Sequence, residues 1–330
     1  MSFDVGYDRS GMLKDYAAWR EKGLAALSAV SWRGAVKARR VYCAAMGASA
    51  APAEVFRDCF PGAGLCVVES HMLPADAGKG DAFVACSLSG NTQETLLALR
   101  SALERGMPAV GISGGGKIAE VCAGGGVPHV RMPKMLTSRS SFPIIASTMA
   151  AVLSQLAPLP SLVDGLRLWF EGPASDDARS KELATWMHGA SHLTIYHSPL
   201  APSLGRRFRN VLSENAKART TVTDIMDVQH DGICSWEADS GSKLMLLPGP
   251  ADDEVISGRF EAVGDVVRSL GFDVRLLKFG GTGLGYMLDA IYFLDLASIH
   301  LALLRKLDPG ATRSQELVRR RMEAGAQRKV

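Results

Sequence analysis

Ala82-Phe-Val-Ala-Cys-Ser-Leu-Ser-Gly-Asn-Thr-Gln-Glu-Thr95 is the stretch on which the fold turns. Residues 82–87 form an apolar run too short for a helix and read as a buried strand. Residues 92–105 follow with helical spacing. A strand that passes through a tight polar turn into a helix is half of a βαβ unit. The same signals recur on either side of it. Apolar runs at 41–46, 65–70, 108–113 and 127–132 read as strands, and 51–59, 118–122 and 144–156 as helices. Strands of this kind alternating with helices imply a parallel sheet covered on both faces. Residues 9–30 add a helix in front of the first strand, with Met12, Leu13, Tyr16, Trp19, Leu24 and Leu27 at three- and four-residue steps.

The segment Ala157–Gly165 carries two prolines and reads as a connector. The alternation then restarts, with strands at 193–198, 243–248 and 273–279, and helices at 205–217, 253–270, 284–306 and 312–324. The chain is therefore expected to be α/β with two units. Residues 1–157 hold the first helix and the first unit; residues 158–330 hold the second unit and the closing helices.

Composition narrows the function class. The 330 residues are 47% hydrophobic and 22% charged, near the average for globular proteins. Lys and Arg number 37 against 34 Asp and Glu, a balance too even to suggest nucleic acid. The apolar stretch 284–304 contains Asp289, Asp295 and His300, which argues for a buried helix over a membrane span. Six cysteines, none paired as CxxC and most inside apolar runs, read as buried thiols in a reducing cytosol, and the first residues carry no signal-peptide pattern, so a cytoplasmic protein is expected.

Ser87, Ser89 and Thr92 set three hydroxyls beside the free N–H groups of a helix start, where the helix dipole favours an anion such as phosphate. The alternative is ordinary capping, since Asn91 and Glu94 stand at capping-box spacing. A second turn, Met46-Gly-Ala-Ser-Ala50, follows the first strand in the same way. Both turns would lie at the carboxyl end of one parallel sheet, where open α/β sheets bind ligands. Gly111-Ile-Ser-Gly-Gly-Gly-Lys117 imitates a Walker A loop, but Ile118 stands where the magnesium-binding hydroxyl belongs. Gly280–Gly285 reads as a tight turn. No histidine has metal-ligand spacing, and no metal or cofactor is expected. Taken singly, Glu214 reads as a helix-face residue, His230 as a loop histidine and Arg139 as a solvated loop arginine.

Together these residues carry a resemblance. Ser87-Leu-Ser-Gly-Asn-Thr-Gln-Glu-Thr95 is similar to the phosphate loop of the sugar-isomerase (SIS) superfamily, and Gly47-Ala-Ser49 to its second phosphate turn. Ser213-Glu-Asn-Ala-Lys217 is similar to the segment around the catalytic glutamate of the bifunctional phosphoglucose/phosphomannose isomerases. The resemblance implies two SIS-type three-layer α/β/α sandwiches with parallel sheets, plus N- and C-terminal helices. It implies a hexose 6-phosphate substrate bound by Gly47, Ser49, Ser87, Ser89 and Thr92. It also implies that Glu214 transfers the proton, His230 opens the sugar ring, Arg139 stabilises the enediolate and Thr312 lines the sugar. A homodimer with shared active sites would follow, His230 reaching into the partner's site, with neither nucleic acid nor membrane as partner. The sequence departs from the family at Ala48 and Ala50, at Arg313 and in the stretch after His230. Two other readings share the phosphate loop: an aminosugar-phosphate isomerase or deglycase, and a non-catalytic sugar-phosphate sensor.

Overall fold

A computed structural model describes residues 3–34, 37–133, 136–173, 177–238 and 241–327. Two short helices, α1 (Met12–Ala17) and α2 (Trp19–Ala29), replace the single helix expected over 9–30. Ala18 leaves helical geometry between them, and both Tyr16 and Trp19 turn inward, their rings stacked 4.4 Å apart. The first sheet then forms from β1 (Val41–Ala44), α3 (Ala51–Cys59), β2 (Leu65–Val68), β3 (Ala82–Ser87), α4 (Gln93–Glu104), β4 (Ala109–Ser113), α5 (Gly116–Gly125) and β5 (His129–Arg131). Its order is β2-β1-β3-β4-β5, with every neighbouring pair parallel. Alternate residues serve opposite faces, as the pleat requires. Val41 and Cys43 join a core with α3, while Tyr42 and Ala44 join one with α4 and α5.

The chain continues through α6 (Phe142–Leu153), α7 (Leu162–Glu171) and α8 (Asp177–Met187). The last two were not legible as helices. The prolines of the expected connector lie ahead of α7, whose Leu162, Leu166 and Phe170 enter the first core. The second sheet comprises β6 (His192–His197), α9 (Pro202–Ala216), β7 (Thr220–Asp224), α10 (Ile225–Val228), β8 (Ser242–Leu247), α11 (Glu254–Ser269) and β9 (Asp273–Leu276). Its order is β7-β6-β8-β9, again all parallel. Strand β7 was missed because it lies at the sheet edge and is written in threonines, without the apolar run by which the others were found.

Helices α12 (Gly283–Leu304) and α13 (Arg313–Gln327) close the chain. α12 is apolar nearly all round because it belongs to two cores. Leu288 and Ile291 pack in the first, Leu294 and Leu301 in the second. Its length and composition would allow it to cross a membrane, yet it is buried inside the protein over most of its length. The expected α/β class with two parallel sheets is what the chain adopts. The thiols divide more than the sequence suggested: Cys43, Cys86 and Cys122 are buried, while Cys234 is exposed.

Candidate active site

In the first sheet the strand order reverses between β1 and β3, and both sequence-derived turns leave the sheet there. In an open α/β sheet this switch point is where a crevice opens. The turn Gly47–Ser49 is a single 3-10 turn after β1, with Gly47 at φ +54° and Ser49 buried. It packs against α6 and α9, the latter from the second half of the chain.

The turn after β3 is built by its own hydroxyls. Ser87 Oγ lies 2.8 Å from Thr92 Oγ1 and 3.4 Å from Ser89 Oγ. The Gly90 N–H donates to Ser87 Oγ and the Asn91 N–H to Ser89 Oγ, both at 3.2 Å. Gly90 sits at φ +70° with its α-carbon against the Gly115 carbonyl, where a Cβ would overlap that oxygen. The glycine run 114–116 that imitated a Walker loop thus buttresses this turn: the Gly114 N–H donates to the Leu88 carbonyl and the Lys117 N–H to Asn91 Oδ1. The capping-box alternative fails for the same reason. Thr92, not Asn91, is the N-cap of α4, and no side chain caps that helix. Its first N–H groups, with the hydroxyls of Ser87, Ser89 and Thr92 around them, form a donor-rich crest at the positive end of a helix.

Arg139 lies in the segment between β5 and α6, off the same carboxyl edge. The reading of a solvated loop arginine is overturned, since Arg139 is only 4% exposed. Its guanidinium reaches into the second half of the chain. Nε donates to Asn215 Oδ1 at 2.6 Å, Nη1 to Glu214 Oε2 at 2.9 Å and Nη2 to the Pro309 carbonyl at 2.6 Å. Three of its five N–H bonds are thereby directed. Glu214 stands in the last turn of α9, which Lys217 ends in the left-handed conformation at φ +54°. The Glu214 side chain keeps 22% of its surface accessible, so the carboxylate is fixed on one oxygen and reachable from solvent. Lys217 Nζ donates to the carbonyls of Glu214 and Ala311, each at 2.6 Å, and ties the end of α9 to the turn before α13. Burial first, then the neighbouring Arg139, draw the Lys217 amine below its usual range. Thr312, on that turn, accepts the Glu316 N–H on its carbonyl.

Arg139, Glu214 and the 309–312 turn thus come together within one chain. His230 does not join them: it is exposed after α10, with its ring 3.3 Å from the Gln229 amide. Sequence reading missed the groups that hold Arg139. Asn215 was inside a quoted motif without a task of its own. Arg207 precedes Glu214 by seven residues on α9, two turns along one face, a spacing that could have flagged it. A cavity of about 820 Å³ opens elsewhere, between α7 and the start of α12, lined by Arg20, Trp169, Arg179, Phe279 and Asp289. The Gly280–Gly285 turn contributes to its wall, but none of the candidate substrate-binding or catalytic residues lines it. The candidate site is the polar switch point of the first sheet, from whose carboxyl edge the hydroxyl turns and the Arg139 segment both leave.

Comparison with known proteins bears on the family and the fold. Residues 176–322 match the bacterial phospho-glucose isomerase C-terminal SIS domain. The bifunctional phosphoglucose/phosphomannose isomerase of Aquifex aeolicus is 24% identical over 266 residues, 79% of this chain and 82% of that protein. The D-glucosamine-6-phosphate 4-epimerase of Sulfolobus acidocaldarius is 29% identical over 174 residues, 51% of this chain and 55% of that one. Among solved structures, the C-terminal domain of glucosamine-fructose-6-phosphate aminotransferase from Francisella tularensis superposes with a TM-score of 0.69 at 15% identity, over 94% of this chain and 99% of that one. Over most of its length the chain is therefore similar to the bifunctional phosphoglucose/phosphomannose isomerases, and its second half matches an SIS domain of the bacterial phospho-glucose isomerase type.

Proposed function

We propose that the protein is a phosphohexose isomerase that interconverts glucose 6-phosphate or mannose 6-phosphate with fructose 6-phosphate through an enediolate. The observation that carries this reading is the accessible Glu214 carboxylate held on one oxygen by a buried Arg139, whose segment leaves the same sheet edge as the hydroxyl turns.

The chemistry needs a grip on the phosphate and one movable proton. Ser87, Ser89 and Thr92, with the N–H groups at the start of α4, would take the dianion, and Gly47 and Ser49 would close the other side of the crevice. Binding energy from the phosphate fixes the reacting carbons, which need no tight contact of their own. After ring opening, Glu214 removes the C2 proton of the aldose and leaves negative charge on the C1 oxygen. It then returns the proton to C1 while the proton of the C2 hydroxyl passes to the C1 oxygen, which leaves a C2 carbonyl and a C1 hydroxyl. Arg139 has two N–H bonds left to meet the enediolate oxygens, and a fixed donor in such a place is worth roughly 3–4 kcal/mol. Thr312 would line the sugar beside C2. Histidine suits proton transfer to the ring oxygen near neutral pH. Since His230 is exposed and shares no hydrogen bond with Glu214 of its own chain, a second copy would supply it, and the active unit would be a dimer.

Proton NMR with the three hexose phosphates in D₂O tests the reading. Wild type should interconvert them and incorporate deuterium at C2. Glu214→Gln should lose roughly a hundredfold or more in kcat, the range of general base catalysis, while still binding the phosphosugar. Full turnover by Glu214→Gln would remove the proposal. Mixing Glu214→Gln with His230→Ala chains should restore part of the activity if the sites are shared, because one site of the mixed dimer is then intact. Glucosamine 6-phosphate belongs in the same panel, since the Sulfolobus relative is named for that sugar.

A further inference from the structure

The groups that hold Arg139 do not end at Asn215. Asn215 Nδ2 donates to Ser298 Oγ at 2.8 Å, and Ser298 Oγ donates to the Asp295 carbonyl at 2.6 Å. The Asp295 carboxylate receives Arg207 through two bonds, Nη2 at 2.5 Å and Nε at 3.2 Å. Arg207 Nη2 then donates to the Arg139 carbonyl at 2.7 Å, which closes the path on the residue where it began. The result is a ring of side-chain and backbone hydrogen bonds through Arg139, Asn215, Ser298, Asp295 and Arg207. Each member is at most 4% exposed. Tyr16 adds a bond from α1, its hydroxyl donating to Asp295 at 2.7 Å.

Three features set the ring apart from an ordinary buried ion pair. It joins four separate elements: α1, the segment before α6, α9 and α12. It grips Arg139 at both ends, by the carbonyl and by Nε, and so fixes the backbone and the plane of the guanidinium together. It also leaves Nη1 as the nitrogen directed at Glu214. Burial draws the Arg207 guanidinium down, but the facing Asp295 outweighs it and keeps it above its ordinary value. A buried charge pair of this kind is weak evidence for stability, because desolvation consumes much of the attraction. Specifying one geometry is the use left to it.

We infer that Arg207 and Asp295 are positioning residues, which set the orientation of the Arg139–Glu214 pair from behind without touching the sugar. The inference rests on the assignment of Glu214 as the proton-transfer base. Under it, the phosphate turns bind as before when the ring is broken, and only the proton transfer suffers.

The test compares Ser298→Ala, Asp295→Asn and Arg207→Lys with Glu214→Gln in the full-length chain, using steady-state kinetics with fructose 6-phosphate and thermal unfolding. Ser298→Ala opens the ring by removing one hydroxyl and is the mildest of the three. It should lower kcat about five- to tenfold with KM within twofold. Asp295→Asn keeps the shape but removes the charge facing Arg207, and should lower kcat by ten- to a hundredfold with the same small change in KM. Arg207→Lys keeps the charge but cannot reproduce the planar fork, so it should fall between the two. Ser298→Ala remains informative should either charge variant fail to fold. A purely structural role would lower the unfolding temperature and the active fraction while leaving kcat per folded site at the wild-type value. Wild-type kcat in Ser298→Ala, with Glu214→Gln inactive, overturns this inference and leaves the proposed base intact. Activity in Glu214→Gln overturns the assignment of the base itself.

Discussion

The two sheets of this protein each reverse strand order once, and the two switch points are finished in opposite ways. In the first sheet, between β1 and β3, the turn hydroxyls of Ser87, Ser89 and Thr92 bond to one another and to the backbone, and no carboxylate among the described residues is hydrogen-bonded to them. In the second sheet, between β6 and β8, Ser198 occupies the position after β6. Its hydroxyl donates to Asp252 Oδ1, and the other oxygen of that carboxylate accepts the Gly249 N–H at 2.8 Å. The chain's own acid therefore sits where the first switch point presents donors. Under the proposed function the first crevice takes an external anion, whereas the second holds an internal carboxyl group. Duplicate architecture does not make duplicate sites, because the loops decide what the edge can hold.

The comparison can be broken most forcefully at Gly90. Gly90→Ala places a Cβ on a residue at φ +70° and against the Gly115 carbonyl, so the turn must move. We expect a loss of stability on the order of 3 kcal/mol and of phosphosugar binding with it. Denaturant unfolding and isothermal titration would measure both, and unimpaired binding would mean the turn is not the anion site.

A paired experiment sharpens it. Ser87→Ala should weaken hexose 6-phosphate binding about tenfold, the worth of one hydrogen bond to a charged group. Ser198→Ala should leave that dissociation constant unchanged and instead lower stability by roughly 1–2 kcal/mol, because Asp252 loses its donor. Equal effects of the two variants on binding would abolish the distinction between the edges.

The smallest effect concerns pH. Burial raises the Asp252 carboxyl above its usual range, with Ser198 and the Gly249 N–H opposing. A raised folded-state value means the unfolded chain gives up this proton at lower pH. The contribution of Asp252 is therefore greatest below the unfolded value and falls as pH rises through the folded one. Asp252→Asn should flatten the stability profile from about pH 4 upward, as followed by denaturation at several pH values. An unaltered slope would show that the carboxylate closing the second edge is not the titrating group.

Much of this was legible in the sequence, for identifiable reasons. Short apolar runs broken by turn residues gave the strands, because both faces of a parallel sheet are covered and its strands need no polar side. The Ser87–Thr92 turn could be read locally, since every bond that shapes it spans only a few residues, apart from the glycine run that props it. The sequence by itself thus determined the α/β alternation, the two parallel sheets and the hydroxyl turns at the first switch point. The threonine edge strand β7 and the amphipathic α7 behind its prolines were settled by packing, which propensity does not report. Tertiary structure alone decided that Arg139 is buried, that it aligns Glu214, and that Asp252 shuts the second crevice. The physical reason is distance along the chain. Arg139 and Glu214 are separated by 75 residues and Arg207 and Asp295 by 88. A buried charge declares its partner only when folding excludes water from both.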